Sequence, residues 1–152
     1  MNIREYFSLK EVKIALNIIT RILRRWRYNF TEAKVYGILL LSPISLTIMD
    51  IANIANLSRS SISTVLSKLV KDYLVHYYRM GKTKYYTAIP ALTEIFIKQP
   101  RETLEKEVIP LEKIIKDIHK KYLSDDRDYN KVIKDIENIR RKLEKCIEVL
   151  NE

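Results

Sequence analysis

Apolar residues recur along most of this chain at helical spacings, and the period drops to two in one place. Leu9, Val12, Leu16, Ile19, Leu23 and Trp26 alternate by three and four, which draws one apolar stripe on a helix of about five turns. Ser8, with Glu11 three residues on, predicts a capping box at its start. Thr31 predicts the N-cap of a second helix through Leu41, with Val35, Tyr36, Leu39 and Leu40 inward and Ser42-Pro43 as the stop. Gly37 inside that helix costs about 1 kcal/mol relative to Ala, so a close backbone approach is expected there.

The next segment is more specific. Thr47 with Asp50 predicts a short helix, Ile48 to Ala55, burying Ile51, Ile54 and Ala55. Asn56 stands where a left-handed residue is needed, and Ser58 caps a helix from Arg59 to Asp72. Only Asn56 and Leu57 separate the first helix from the second cap, the tight connection of a helix-turn-helix. Ile62, Val65, Leu66 and Leu69 share one face of the second helix. A turn of 100° per residue sets Ser60, Thr64, Ser67 and Lys71 opposite them, flanked by Ser63 and Lys68. After Asp72 the alternation becomes strand-like, from Leu74 to Arg79 and from Lys84 to Ile89, around Met80-Gly81-Lys82-Thr83. Tyr77, Tyr78, Tyr85 and Tyr86, with Tyr73, read as cross-strand pairs and core rather than base-stacking platforms.

Beyond Pro90 the helical period returns. Leu104, Val108, Leu111, Ile115, Ile118 and Tyr122 form one seam; Val132, Ile136, Ile139, Leu143, Cys146 and Leu150 form another after a break at Ser124-Asp125-Asp126. Pro110 should kink or split the first. Three apolar stripes exceed what one small winged body covers, so a homodimer is expected, held by Leu9, Val12, Leu16, Ile19, Leu23, Leu111, Ile115, Ile118, Val132, Ile136, Ile139, Leu143 and Leu150. The fold class is mainly α with a small β-hairpin wing. Residues 1–29 form an N-terminal dimerisation helix, 30–90 a winged helix-turn-helix, and 91–152 a C-terminal helical dimerisation region.

Charge sharpens this division. Residues 1–100 hold 15 Lys and Arg against 6 Asp and Glu, whereas residues 101–152 hold 13 against 13. A basic body beside a neutral, highly charged tail suggests that one part meets a polyanion and the other meets protein. The single Cys146 leaves no intrachain disulfide, which fits a cytoplasmic protein; no apolar run approaches membrane length, and no membrane partner is expected. Cys146 on a seam reads as a small core residue. His76 and His119 have no spaced Cys or carboxylate set, and the only glycines are Gly37 and Gly81, so no metal site, phosphate loop, cofactor or enzymatic function is expected.

The candidate chemistry is therefore recognition of double-stranded DNA. A helix face of small hydroxyls without a carboxylate is unusual for a solvated surface, which normally carries Glu and Lys pairs. Small hydroxyls let a backbone approach a groove and hydrogen-bond base edges or phosphates. The candidates are Thr47, Ser58, Arg59, Ser60, Ser61, Ser63, Thr64, Ser67, Lys68 and Lys71, with Arg79, Lys82, Thr83 and Lys84 at the hairpin tip. Arg21, Arg24, Arg25 and Arg27 are either partners of a helix C-terminus or flanks for the DNA backbone. Two other readings stay open: a protein-interaction module, and a sequence-indifferent architectural protein of chromatin.

These residues resemble the MarR superfamily of winged-helix transcription regulators, and more closely its GbsR-like branch. The resemblance rests on Tyr36-Gly37, Leu41-Ser42-Pro43, Thr47 through Ala52, Leu57-Ser58, Ser61 to Ser63, Leu66 to Leu69, Leu74-Val75, and Gly81 with Tyr85-Tyr86. It covers about residues 30–120, including the helix with Glu107 and Pro110. It implies a dimer held by N- and C-terminal helices, with recognition helices in successive major grooves and wings alongside. By position it makes Arg59, Ser60, Ser61, Ser63, Thr64 and Lys68 groove-facing and Arg79, Lys82 and Lys84 wing contacts. Such relatives often place a small-molecule effector between the DNA-binding lobe and the dimer helices. Two features depart from the pattern. Tyr73 stands where many relatives have Gly, and the wing lacks their Asp-x-Arg tip, so Lys82 and Lys84 would hold phosphates rather than read bases.

Overall fold

Two N-terminal helices, α1 (Ile3–Ser8) and α2 (Lys10–Arg25), lead into α3 (Phe30–Leu41) in a computed structural model that describes residues 1–122 and 127–152. The break at Ser124-Asp125-Asp126 lies outside the described residues. The chain forms two bodies, Met1–Ala91 and Leu92–Glu152. The first thus joins residues 1–29 to the segment 30–90 that the pattern set apart.

The N-terminal helix is broken where one continuous stripe was expected. Asn2 caps α1, its Oδ1 accepting from the Glu5 N–H at 2.8 Å. Ser8 ends that helix and donates its hydroxyl to the Arg4 carbonyl at 2.8 Å, so it cannot cap α2. Leu9, extended at φ −65° and ψ 138°, is the N-cap of α2 and has no side-chain cap bond. The capping box drawn on Ser8 and Glu11 does not form. Thr31 is likewise not the cap of α3. Asn29 is, accepting from the Glu32 N–H while Glu32 Oε1 accepts from the Asn29 N–H, both at 2.8 Å.

Helix α3 is the axis of this body. Ala33, Val35, Tyr36, Ile38 and Leu39 are all buried, so it is covered around most of its circumference. Gly37 faces α2: a Cβ there would meet Leu16 Cδ1 at 2.8 Å and Ile19 Cγ2 at 3.3 Å, the close approach expected of it. Tyr36 is fully buried, donates to the Ile89 carbonyl at 2.8 Å and accepts from the Ala91 N–H at 3.2 Å. Burial pushes its phenol pKa up.

The segment after α3 follows the sequence reading closely. Helix α4 (Ile48–Ala55) begins with the capping box of Thr47 and Asp50 and ends at Asn56, which is left-handed at φ 56° and ψ 48°. Helix α5 (Arg59–Lys71) starts at Ser58, whose hydroxyl accepts from the Ser61 N–H at 3.2 Å. Ile62, Val65, Leu66 and Leu69 are its buried face. It closes in a Schellman arrangement, with Tyr73 N–H on the Val70 carbonyl and Leu74 N–H on that of Leu69. Tyr73 takes the left-handed position at φ 60°, the place where a glycine is usual.

Strands β1 (Val75–Met80) and β2 (Thr83–Ala88) pair antiparallel, from Val75 opposite Ala88 to Met80 opposite Thr83. Gly81 at φ 62° opens the two-residue turn. Tyr77 meets Tyr86 and Tyr78 stacks on Tyr85, each pair 5.5 Å between ring centroids, as expected of cross-strand partners. Tyr73 belongs to neither pair and is exposed. Leu46 adds a bridge that periodicity did not predict, exchanging backbone bonds with Tyr86 at 2.8 and 3.0 Å.

The second body holds α6 (Leu92–Thr103), α7 (Ile109–Tyr122) and α8 (Arg127–Leu150). Between α6 and α7 a π-helical turn spans Leu104–Val108, and the Ile109 N–H reaches the Leu104 carbonyl five residues back. It ends two residues before Pro110, which removes one N–H from the ladder; the backbone stays right-handed helical on both sides, so the seam carries a π turn there and is not split. Leu104, Val108 and Ile136 are buried, with Ile115, Leu143 and Ile147 packed on them. The inward track of α8 therefore runs through Ile147, and Cys146 is exposed instead of being a core residue. A charged cluster links α7 to α8: Glu112 pairs with Lys116 at 2.9 Å and with Arg140 at 3.3 Å, and Lys116 lies 3.5 Å from Glu137.

Candidate nucleic-acid interface

The surface of α5 is built by the division of its residues. Four apolar side chains lie in the core, while Arg59, Ser60, Ser61, Ser63, Thr64, Ser67 and Lys71 are exposed. Two of the hydroxyls are already turned inward: Thr64 donates to the Ser60 carbonyl at 3.0 Å and Ser67 to that of Ser63 at 3.1 Å. Their oxygens keep lone pairs for an incoming donor, while Ser60 and Ser63 have no such back-bond. No acidic residue lies in the first turn, so the positive end of the helix dipole is uncompensated beside Arg59.

Three of the expected contacts have structural work. Thr47 and Ser58 are caps, each accepting the N–H of the residue three positions on. Lys68 differs more. Its side chain is 48% exposed, but its ammonium pairs with the buried carboxylate of Glu32 and lies 5.4 Å from the centre of the Tyr28 ring. The flanking cation expected to face the groove is thus drawn back onto α3. At the hairpin, Arg79, Lys82 and Thr83 are exposed. Lys84, paired with Arg79 next to the turn, is half-buried, its ammonium 4.7 Å from the centre of the Tyr77 ring.

The residues assigned to a dimer interface also separate. Val12 and Leu23 are buried and Leu16 and Ile19 face Gly37, so these four serve the core of their own chain. The reason is geometric, since α3 already covers that side of α2. Ile136 is buried, and Ile115 and Leu143 pack on it. Leu9, Leu111, Ile118, Val132 and Ile139 are exposed, and Leu150 is half-buried. On α2 the exposed apolar side chains are Ile14 and Ile18, outside the stripe that was read as the seam.

Sequence reasoning missed the pairing of Glu32 with Lys68 and the bridge from Leu46. The local signal for the cap is the spacing from Asn29 to Glu32, which competes with the one offered by Thr31. Nothing local marks the ion pair. Among the described residues no group of three His, Cys, Asp or Glu is gathered to hold a metal, and no helix is long and apolar enough to cross a membrane.

This arrangement, two helices in a tight corner followed by a two-stranded hairpin, is a winged helix-turn-helix. Residues 28–91, less than half of the chain, match the family model described as sugar-specific transcriptional regulator TrmB. No curated protein matches the sequence. Among solved structures, one described as a transcriptional regulator is similar over 93% of both chains, with a TM-score of 0.50 and 12% identity. TrmBL2, described as an archaeal chromatin protein with a novel mode of DNA binding, is similar over 75% of this chain, with a TM-score of 0.52 and 20% identity; the match spans 45% of that protein. A MarR/EmrR family regulator from Acinetobacter sp. ADP1 gives 14% identity and a TM-score of 0.42, over 95% of this chain and 99% of its own. The narrower GbsR-like resemblance is carried by none of these.

Proposed function

We propose that the chain is a sequence-specific, double-stranded-DNA-binding transcriptional regulator that acts as a homodimer. The observation that carries this reading is the exposed, carboxylate-free face of α5, where Arg59 adjoins Ser60, Ser61, Ser63 and Thr64. Arg59 and the hydroxyls of Ser60 and Ser63 would read base edges in the major groove, while Lys71 and the tip residues Arg79 and Lys82 hold phosphates. The matched family's description as a regulator supports the same reading. The exposed Leu111, Ile118, Val132 and Ile139 on the second body support a partner of the same chain, because a second copy presents the same apolar surfaces.

The test is a titration of a duplex selected from a random pool. Arg59→Ala should weaken binding by about 1–3 kcal/mol, as for the loss of one good base contact. Lys82→Ala should reduce the slope of log K against log salt by about 0.9, as for one lost phosphate. An unchanged affinity in both variants removes the reading. The fold shared with an archaeal chromatin protein keeps a second reading in view, sequence-indifferent binding. In that case salt dependence persists and the selected and scrambled duplexes bind alike.

A further inference from the structure

We propose that Glu32 is a positioning residue for DNA recognition: acting through Lys68 it fixes the orientation of α5, and Lys68 is withheld from the phosphate backbone. The inference rests on the DNA-binding reading above. Glu32 is buried near the start of α3, with one carboxylate oxygen on the Asn29 N–H at 2.8 Å and the other on Lys68 of α5. A buried carboxylate left without its cation is strongly destabilising, so Glu32 holds that ammonium in place. Tyr28 closes the other side, with its ring 5.4 Å from the same ammonium.

Besides this pair, α5 is attached through the apolar Ile62, Val65, Leu66 and Leu69 and, at its C-cap, by a long hydrogen bond of 3.5 Å from the Tyr28 hydroxyl to Asp72. Apolar burial is non-directional. The ion pair with Glu32 is directional. It sets which hydroxyls face outward, because a roll that turned Ser60 and Thr64 aside would pull Lys68 from a carboxylate that has already spent its other oxygen on the cap. Buried ionic groups serve specificity of this kind in some proteins, whatever they contribute to stability.

The arrangement also separates two roles that lie side by side on α5. Lys71 is exposed and open to phosphate, whereas Lys68 is already held. Neutralising Glu32 frees a cation at the edge of the recognition surface, where it would attract any duplex regardless of sequence.

The experiment measures affinity for the selected and a scrambled duplex across a salt series, at temperatures where melting curves show each protein folded. Lys68→Met should leave the salt slope unchanged but narrow the ratio of selected to scrambled affinity about tenfold. Glu32→Gln keeps an oxygen for the Asn29 N–H and should narrow the ratio similarly, with the slope rising by about 0.9 as Lys68 finds a phosphate. Lys68→Arg, which can pair with the carboxylate again, should restore the ratio. A fall of about 0.9 in slope for Lys68→Met with the ratio intact would make Lys68 a phosphate ligand and overturn the proposal. Unchanged ratios in Lys68→Met and Glu32→Gln would also overturn it, leaving the pair purely structural. If the wild-type protein itself makes no distinction between the duplexes, the DNA-reading function fails first and the positioning role fails with it.

Discussion

A Cβ on Gly37 would stand 2.8 Å from Cδ1 of Leu16, so the missing side chain is what lets α2 lie against α3. Gly37→Ala gains about 1 kcal/mol of helix propensity. It also displaces a Leu methyl, which can move, and crowds Ile19 Cγ2 at 3.3 Å, which moves less readily. The two effects should offset to within about 1 kcal/mol. Gly37→Leu has no such relief and should cost about 1–3 kcal/mol by overpacking. Urea unfolding with an unchanged m value checks both.

Tyr73 holds a left-handed backbone at φ 60° while its side chain is 82% exposed. Replacing it with Gly removes the Cβ penalty and forfeits little burial, so Tyr73→Gly should stabilise the protein by about 1 kcal/mol. Thermal denaturation reads this directly, as a rise in midpoint. A fall would mean that the exposed ring makes a contact the fold depends on.

Most of the first body was legible from local chemistry. The Thr47 and Asp50 box, left-handed Asn56, the Ser58 cap and Gly81 in the turn each state a backbone requirement within a few residues, and each forms. What was not legible depends on distant partners or on competing local signals. The pairing of Lys68 with Glu32 and the bridge from Leu46 to Tyr86 join residues far apart in sequence. The stripe from Leu9 to Leu23 was real but ambiguous, because an apolar face looks the same whether its own chain or another covers it. The break at Leu9 had no Gly or Pro to mark it, and Ser8 bonded backwards instead of forwards.

If the second body forms the proposed dimer contact, charges on its exposed apolar side chains should separate the subunits. Leu111 and Ile139 are 46% and 44% exposed, so replacing both with Asp should leave the core of Leu104, Val108 and Ile136 in place. Sedimentation should show a dimer for the wild-type chain and a monomer for Leu111→Asp/Ile139→Asp. A wild-type monomer at micromolar concentration contradicts the assignment.

The Glu112 cluster predicts an acid-sensitive second body. The hydrogen bond from Lys116, helped by the charges of Arg140 and Lys116, outweighs burial and lowers the Glu112 pKa. A lowered carboxylate contributes stability that is present above its unfolded value, about 4.3, and is lost as pH falls through the lower folded value. Lys116 is raised by the same bond, so its contribution is present below its unfolded value and lost as pH rises through the higher folded one. Unfolding of the second body followed from about pH 6 to about pH 2 should show the acid loss, and Glu112→Gln should flatten the acid limb. An identical acid limb in the variant would place the sensitivity elsewhere.

The hydroxylated face of α5 is tested most directly by the affinity of the wild-type protein for a selected duplex against a scrambled one. At about 0.15 M salt, a base-reading α5 predicts an enriched inverted repeat bound roughly a thousandfold or more tightly than the scrambled duplex. Equal affinity for both, or no binding to either, contradicts it.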